Sequence, residues 1–316
     1  MRLAAHVPLL RTARRGGARV GGRGAGTLPT RPLAPAGISL SALCLVAAIA
    51  LSPSQLIAAS PALDVPTPYI PSTRQNVDEM LRLAGVKAGD VVYDLGSGDG
   101  RVVITAARDW GARGVGIELD GKLVGHSRDE ARRAGVADRA TFREGDVFAA
   151  DLSDATVVTM YLLTSLVNRL QPKLLTELRP GTRIVAHDYG FEGWTPDRHV
   201  SVSKNFYLYI VPAKAAGRWT VRTALPQGAR DYEMDFEQRF QEIKGGARVA
   251  GGFLPAFDAR LTGERITFIL SEGDMTYRYE GRVSGSSTAG TVRWGYGPRQ
   301  QESTWQARRA SAAAGG

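Results

Sequence analysis

Residues 91–101 read Val91-Val92-Tyr93-Asp94-Leu95-Gly96-Ser97-Gly98-Asp99-Gly100-Arg101. An apolar run carries a carboxylate near its end, three alternating glycines follow, and a helix-compatible sequence begins. Glycine accepts positive φ and lets backbone approach a ligand where a Cβ would collide. Two more carboxylates recur in register. Glu118 closes the next apolar run, 18 residues after Gly100, and Asp146 follows the third in Glu144-Gly145-Asp146-Val147. A carboxylate at Glu118 can accept hydrogen bonds from both hydroxyls of a ribose, as in dinucleotide folds. One at Asp146 can accept from an exocyclic adenine amine. Taken singly, a glycine turn is a feature of any tight strand-to-helix turn, and Glu118 is a surface charge. An acid at each of three successive strand ends is hard to explain as solubility. It points to a nucleoside-bearing ligand beyond the carboxyl ends of the strands.

Such residues need a frame that brings strand ends together. The Pro-rich segment 64–72 reads as extended, because each proline pushes its predecessor out of the helical region. Ser72 or Thr73 can cap a helix running to about Ala84. Strands are then expected at Val91–Leu95, Gly114–Glu118, Ala140–Phe142, Thr156–Leu162 and Arg183–His187. Helices are expected at Arg101–Asp109, Leu123–Ala134 and Leu166–Leu178. This alternation predicts an α/β fold with a doubly wound, mostly parallel sheet, closed by an antiparallel pair at Val200–Val202 and Phe206–Val211. From Lys214 the period changes to two: Tyr232, Met234, Phe236, Gln238 and Phe240 alternate with charged residues, and Met275, Tyr277, Tyr279, Gly281 and Val283 alternate with polar or charged ones. A smaller antiparallel all-β module is expected over 214–309, with Trp219, Trp294 and Trp305 in its core, and a small-residue tail over 310–316.

Charge and composition narrow the function. The formal charge of +9 is uneven: residues 1–63 hold seven arginines and no acid, leaving 33 basic against 31 acidic residues elsewhere. A nucleic-acid-binding core would carry a basic patch, and no basic run occurs within 64–213. One cysteine, Cys44, and four scattered histidines, His6, His126, His187 and His199, offer neither a disulfide framework nor metal-ligand spacing. Ile38–Leu51 is an uncharged stretch, short for a membrane span. With small residues at Ala58, Ala59, Ser60 and Ala62 it suits the apolar part of an export signal. An uncleaved N-terminal anchor with membrane contact, an Arg-rich targeting peptide and a downstream true start (which would leave the protein cytoplasmic) are the competing readings.

The residues from Asp94 to Gly100 match in full the acid-x-Gly-x-Gly-x-Gly first motif of the Rossmann-like S-adenosylmethionine-dependent methyltransferases, and the chain resembles that family over about 64–212. NAD-binding relatives of the fold usually read Gly-x-Gly-x-x-Gly, whereas the glycines here fall at 96, 98 and 100. The resemblance implies S-adenosyl-L-methionine as cofactor. It implies that Asp94, Gly96, Ser97, Gly98 and Gly100 hold its methionine portion, Glu118 its ribose, and Asp146 with Val147 its adenine. A narrower resemblance rests on Pro68-Tyr69-Ile70-Pro71, the Asp94–Arg101 run and Gly114-Val115-Gly116-Ile117-Glu118-Leu119. It is to the mitochondrial ATP-synthase c-subunit lysine methyltransferases and their bacterial relatives, which implies a protein acceptor and puts Tyr69 and Pro71 beside the active site. The segment after the fourth strand, Met160-Tyr161-Leu162-Leu163, departs from the Asn-Pro-Pro-Tyr type, with Tyr161 in the corresponding place. Tyr69, Tyr161, His187 and Asp188 are the candidate acceptor-site residues; His187 also reads as an ordinary loop-edge histidine. The alternative to an enzyme is a non-catalytic scaffold whose β module makes the functional contacts.

Overall fold

The computed structural model describes residues 70–225, 228–295 and 297–310. The N-terminal apolar run and Tyr69 lie outside the described residues. The first half builds α1 (Arg74–Ala84), β1 (Val91–Leu95), α2 (Arg101–Asp109), β2 (Arg113–Glu118), α3 (Gly121–Arg133), β3 (Ala140–Glu144), β4 (Val157–Met160), α4 (Thr164–Glu177), β5 (Arg183–His187), β6 (Arg198–Ser201) and β7 (Asn205–Ile210). The strands form one sheet in the order β3-β2-β1-β4-β5-β7-β6. The first five are parallel, β7 runs antiparallel to β5, and β6 runs antiparallel to β7. The predicted fourth strand, 156–162, is shorter than expected. It leaves the sheet after Met160, because the chain must turn at Tyr161–Leu163 to enter α4.

Local sequence explains the ends that matter. Thr73 accepts a hydrogen bond from Asn76 N and so caps α1, and Gly85, at φ 60°, closes it with its N–H on the Arg82 and Leu81 carbonyls. The stripe Val77, Met80, Leu81 and Ala84 is buried against Val92, Val157, Val185 and Phe206 on one face of the sheet. On the other face Val167, Leu170 and Leu174 of α4 pack on Tyr93, Val158 and Ile184. With both faces covered, the strands read as continuous apolar runs rather than alternating ones. Their functional residues fall at the carboxyl ends, where the pattern breaks.

The second half contains β8 (Gly217–Leu225), β9 (Gly228–Arg239), β10 (Glu242–Val249), β11 (Gly252–Pro255), β12 (Phe257–Thr262), β13 (Arg265–Glu272), β14 (Met275–Ser284), β15 (Ser287–Trp294) and β16 (Gln301–Arg309). Neighbours run antiparallel. β10 pairs with both β9 and β12, so eight strands close into a barrel from which β11 hangs as a flap on β10. Closure removes the exposed edges that an open antiparallel sheet would carry. Trp219, Met234, Phe236, Phe268, Tyr279, Trp294 and Trp305 fill its interior, with Phe268 stacked on Tyr279 at 4.7 Å. The three tryptophans are core residues, as the alternation predicts.

The sheet and the barrel share a buried seam. Phe240 and Gln241 form the two-residue turn between β9 and β10. The Phe240 ring stacks on Trp194 at 5.1 Å and 7°. Trp194 Nε1 donates to Gln241 Oε1 (2.8 Å), and Gln241 Nε2 donates to the Thr195 carbonyl (2.6 Å). Ala213 N donates to the Gly263 carbonyl, and a Cβ on Gly263 would lie 2.9 Å from Gly181 Cα.

Candidate active site

The motif carboxylates come together at the carboxyl ends of β1, β2 and β3. Gly96, Gly98 and Gly100 have φ of 75°, 54° and 78°, so each occupies a region that other residues enter at a cost, and the triple glycine has a backbone reason. A Cβ on Gly100 would fall 2.6 Å from the Phe142 ring and 2.8 Å from Ser127 Cβ. The loop is tied down by Gly96 N and Ser97 N on the Ile117 carbonyl and by Ser127 Oγ donating to the Gly98 carbonyl at 3.0 Å.

Glu118 holds more than a ligand-facing place. Its Oε2 accepts from Gly98 N (2.8 Å), and its Oε1 accepts from Leu119 N (2.8 Å) and Asp120 N (3.0 Å). A carboxylate offers about four lone-pair positions, so one group can fix the glycine loop and still accept from a ligand. Asp146 is exposed, and its Oδ1 accepts from Phe148 N at 2.9 Å. Val147, half-buried beside it, packs on the core under the sheet end.

Asp94 is buried, with Oδ1 accepting from Thr159 Oγ1 at 2.6 Å. Burial, aided by the nearby Glu118 and Asp99 carboxylates, outweighs that hydrogen bond and pushes its pKa up to about 7. A carboxylate so placed gains from a cationic partner, such as the ammonium of a methionine moiety. Ser97 Oγ is buried and has no hydrogen-bond partner among the described residues. Both features suit S-adenosylmethionine, with its amino-acid end against the β1 turn.

A second group lies one and two strands away, after β4 and β5. His187 is buried and stacks on Tyr161 at 4.0 Å and on Phe206 at 5.0 Å. Its Nδ1 lies 3.0 Å from Ser72 Oγ, and its Nε2 has no hydrogen-bond partner among the described residues. Burial depresses its pKa to about 4, more than the Asp188 carboxylate raises it, so the ring is neutral. His187 is therefore a core residue of the site rather than a loop-edge one. It anchors Ser72, whose carbonyl also accepts from Arg101 Nη1 at 2.5 Å. The segment leading into α1 is thus fastened beside the glycine loop. Asp188, at φ 62°, accepts on Oδ2 from Tyr161 Oη (3.2 Å) and from Lys204 Nζ (2.7 Å). Tyr189 and Lys204 carried no sequence signal: both come from turns that only the sheet brings beside Tyr161.

Known proteins resemble this chain in sequence. The family described as the ANTKMT methyltransferase domain matches residues 94–198. A protein-lysine N-methyltransferase of Saccharolobus islandicus (strain REY15A) is 41% identical over 150 residues, covering 46% of this chain and 93% of that protein. The human lysine N-methyltransferase of the ATP-synthase c-subunit is 36% identical over 134 residues, which spans 42% of this chain but only 56% of the human one. A solved RNA methyltransferase from Salinibacter ruber, in complex with S-adenosyl-L-homocysteine, is 52% identical. That match covers 46% of this chain and 95% of the other, at a TM-score of 0.46. None of these three matches spans more than half of this chain. The chain belongs to the class I S-adenosylmethionine-dependent methyltransferases, in the ANTKMT-type group related to the ATP-synthase c-subunit lysine methyltransferases.

Proposed function

We propose that this enzyme methylates lysine side chains of a protein acceptor. The observation that carries this reading is the acceptor edge itself: Asp188, a carboxylate that accepts from the Tyr161 hydroxyl and has the stacked Tyr161 and Tyr189 rings beside it, which suits an amine. The relatives named as protein-lysine and ATP-synthase c-subunit lysine methyltransferases support it. RNA is the second reading, because the Salinibacter relative, 52% identical in sequence, is named an RNA methyltransferase. A nucleic-acid site would instead be expected to line its entry with basic side chains. The test is transfer of a labelled methyl group into a host lysate. Label removed by protease and recovered as methyl-lysine supports the protein reading; label removed by ribonuclease overturns it.

In this proposal Asp94 with Gly96, Ser97, Gly98 and Gly100 holds the methionine portion of the cofactor, Glu118 the ribose, and Asp146 with Val147 the adenine. The bound cofactor supplies an already activated methyl group. The chain's own work is then alignment of the nucleophile and exclusion of water. His187 holds the Ser72 segment in place, and Tyr161 lines the acceptor side; the same role is proposed for Tyr69. The N-terminal run 38–51 is proposed as an export or anchoring signal. N-terminal sequencing from the native host is expected to find a mature end between Ala58 and Leu63, and an intact Arg-rich terminus on cytosolic protein would end that proposal.

A further inference from the structure

We propose that Asp188, Tyr161 and Tyr189 form a seat for a primary ammonium group and that Lys204 fills this seat as an internal stand-in that the acceptor must displace. The inference rests on reading the acceptor as an amine and specifies how that amine is recognised.

The seat is built rather than incidental. Asp188 is a non-glycine residue at φ 62°, a conformation tolerated best by Asn and Asp but uncommon for either. It is held there because its N–H donates to the Asn205 carbonyl (2.7 Å) while its Oδ1 accepts from Asn205 N (3.2 Å). That leaves Oδ2 directed at Tyr161 Oη and Lys204 Nζ. The Tyr161 and Tyr189 rings lie nearly parallel, 17° apart, with centroids at 6.4 Å. The Nε2 of the buried His187, whose ring stacks on Tyr161, has no hydrogen-bond partner among the described residues and sits 4.0 Å from the same Oδ2. One carboxylate oxygen, the Tyr161 hydroxyl and an orphan ring nitrogen therefore converge on one place, with the Tyr189 ring stacked beside Tyr161.

Its position suits an acceptor. Leu95 of β1 pairs with Met160 of β4, and Met160 with Ala186 of β5. The glycine loop, Tyr161 and Asp188 thus leave three adjacent strands at one level. At about 4.8 Å per strand the seat lies roughly 10 Å from the loop. A lysine head resting on Asp188 would have to move inward to reach the cofactor, so the seat is a docking position.

Lys204 is suited to yield. It lies in the β6–β7 turn, its side chain is 45% exposed, and that of Asp188 is 14% exposed. Exposed ion pairs are weak and readily exchanged. The Asp188 carboxylate holds the Lys204 pKa above the ordinary lysine value, so its amine stays protonated and is a poor nucleophile.

The test titrates the full chain with n-butylammonium, the lysine side chain without its backbone, and with n-butanol as the uncharged control. Tyrosine ring resonances report binding, and S-adenosylmethionine affinity is measured in parallel as a check on folding. Lys204→Ala is expected to tighten n-butylammonium binding by about two- to fivefold, the range set by a surface pair. Lys204→Glu should tighten it further, and Asp188→Asn should weaken it by about tenfold or more, the loss of a charge-assisted bond. No gain in either Lys204 variant overturns the stand-in role. Because Lys204 is exposed, those variants keep the test valid if Asp188→Asn fails to fold. Equal binding of n-butanol overturns the ammonium seat. Methyl-lysine formed equally well by Asp188→Asn also overturns the seat while leaving the lysine reading intact. A working seat with label found only in RNA supports the seat and removes the lysine reading alone.

Discussion

Gln241→Ala should loosen the acceptor side of this enzyme from a position in the barrel. Gln241 is 3% exposed and bonds with both ends of its amide, accepting from Trp194 Nε1 and donating to the Thr195 carbonyl. Removing it leaves the buried Trp194 N–H without a partner, at about 1–3 kcal/mol before relaxation, and loses a bond to the part-buried Thr195 carbonyl worth about 1 kcal/mol, so a loss of about 2–4 kcal/mol is expected. At about 2–4 °C per kcal/mol for a body of this size, Tm should fall by roughly 4–16 °C. Trp194 lies in the connection between Asp188 and β6, whose other end is the acceptor seat. The variant should therefore raise KM for the acceptor while the Kd for S-adenosylmethionine changes by less than about twofold. Phe240→Gly separates strain from contact. Phe240 sits at φ 53° in a two-residue turn, where glycine relaxes the backbone, yet the stack on Trp194 is lost. Net destabilisation would show that the turn is held for its side chain. A Gln241→Ala protein with unchanged Tm and acceptor KM would make the barrel a passive appendage.

Glu118→Ala should weaken S-adenosylmethionine binding by about 1.5–3 kcal/mol by calorimetry, and Glu118→Gln by less, since the amide keeps one acceptor for the loop N–H groups. Unchanged affinity in folded Glu118→Ala would remove the ribose assignment. Gly100→Ala should abolish cofactor binding and lower Tm, because the residue would sit at φ 78° with its Cβ against Phe142; a stable, binding-competent variant would contradict this account of the turn. Two pKa shifts predict opposed pH dependences. Asp94, raised to about 7, makes the unliganded fold less stable as pH rises from about 4 through 7. His187, lowered to about 4, makes it more stable as pH rises from 4 through its unfolded value of 6.5. Denaturant titrations should find Asp94→Asn stabilised at pH 8 but not at pH 4, and His187→Phe should lose the rising limb between pH 4 and 6.5. Parallel wild-type and mutant curves would refute either assignment.

The sequence determined the cofactor half almost completely. Its signals are local: β1, α2 and β5 start and stop where apolar runs meet glycine, acid or a capping residue, and the three strand-end acids are legible because a parallel sheet places every strand's carboxyl end on one edge. The period-two pattern after Lys214 likewise gave an antiparallel module with Trp219, Trp294 and Trp305 inside. Barrel closure was not legible, since it depends on β10 meeting β12 through Glu242 and Arg260, a pairing between strand edges that leaves no periodicity. Nor was the seam, because Phe240 and Gln241 look in sequence like the end of an alternating strand, while their turn aims both side chains at Trp194. The acceptor seat was half legible: Tyr161, His187 and Asp188 follow strands and could be named, whereas Tyr189 became a neighbour of Tyr161 only when β5 paired with β4, and Lys204 only when β7 folded back antiparallel on β5. Residue type and local order fix what each strand end carries; which ends face one another is set by long-range pairing and by the burial of shared apolar faces, and only the tertiary structure decides it.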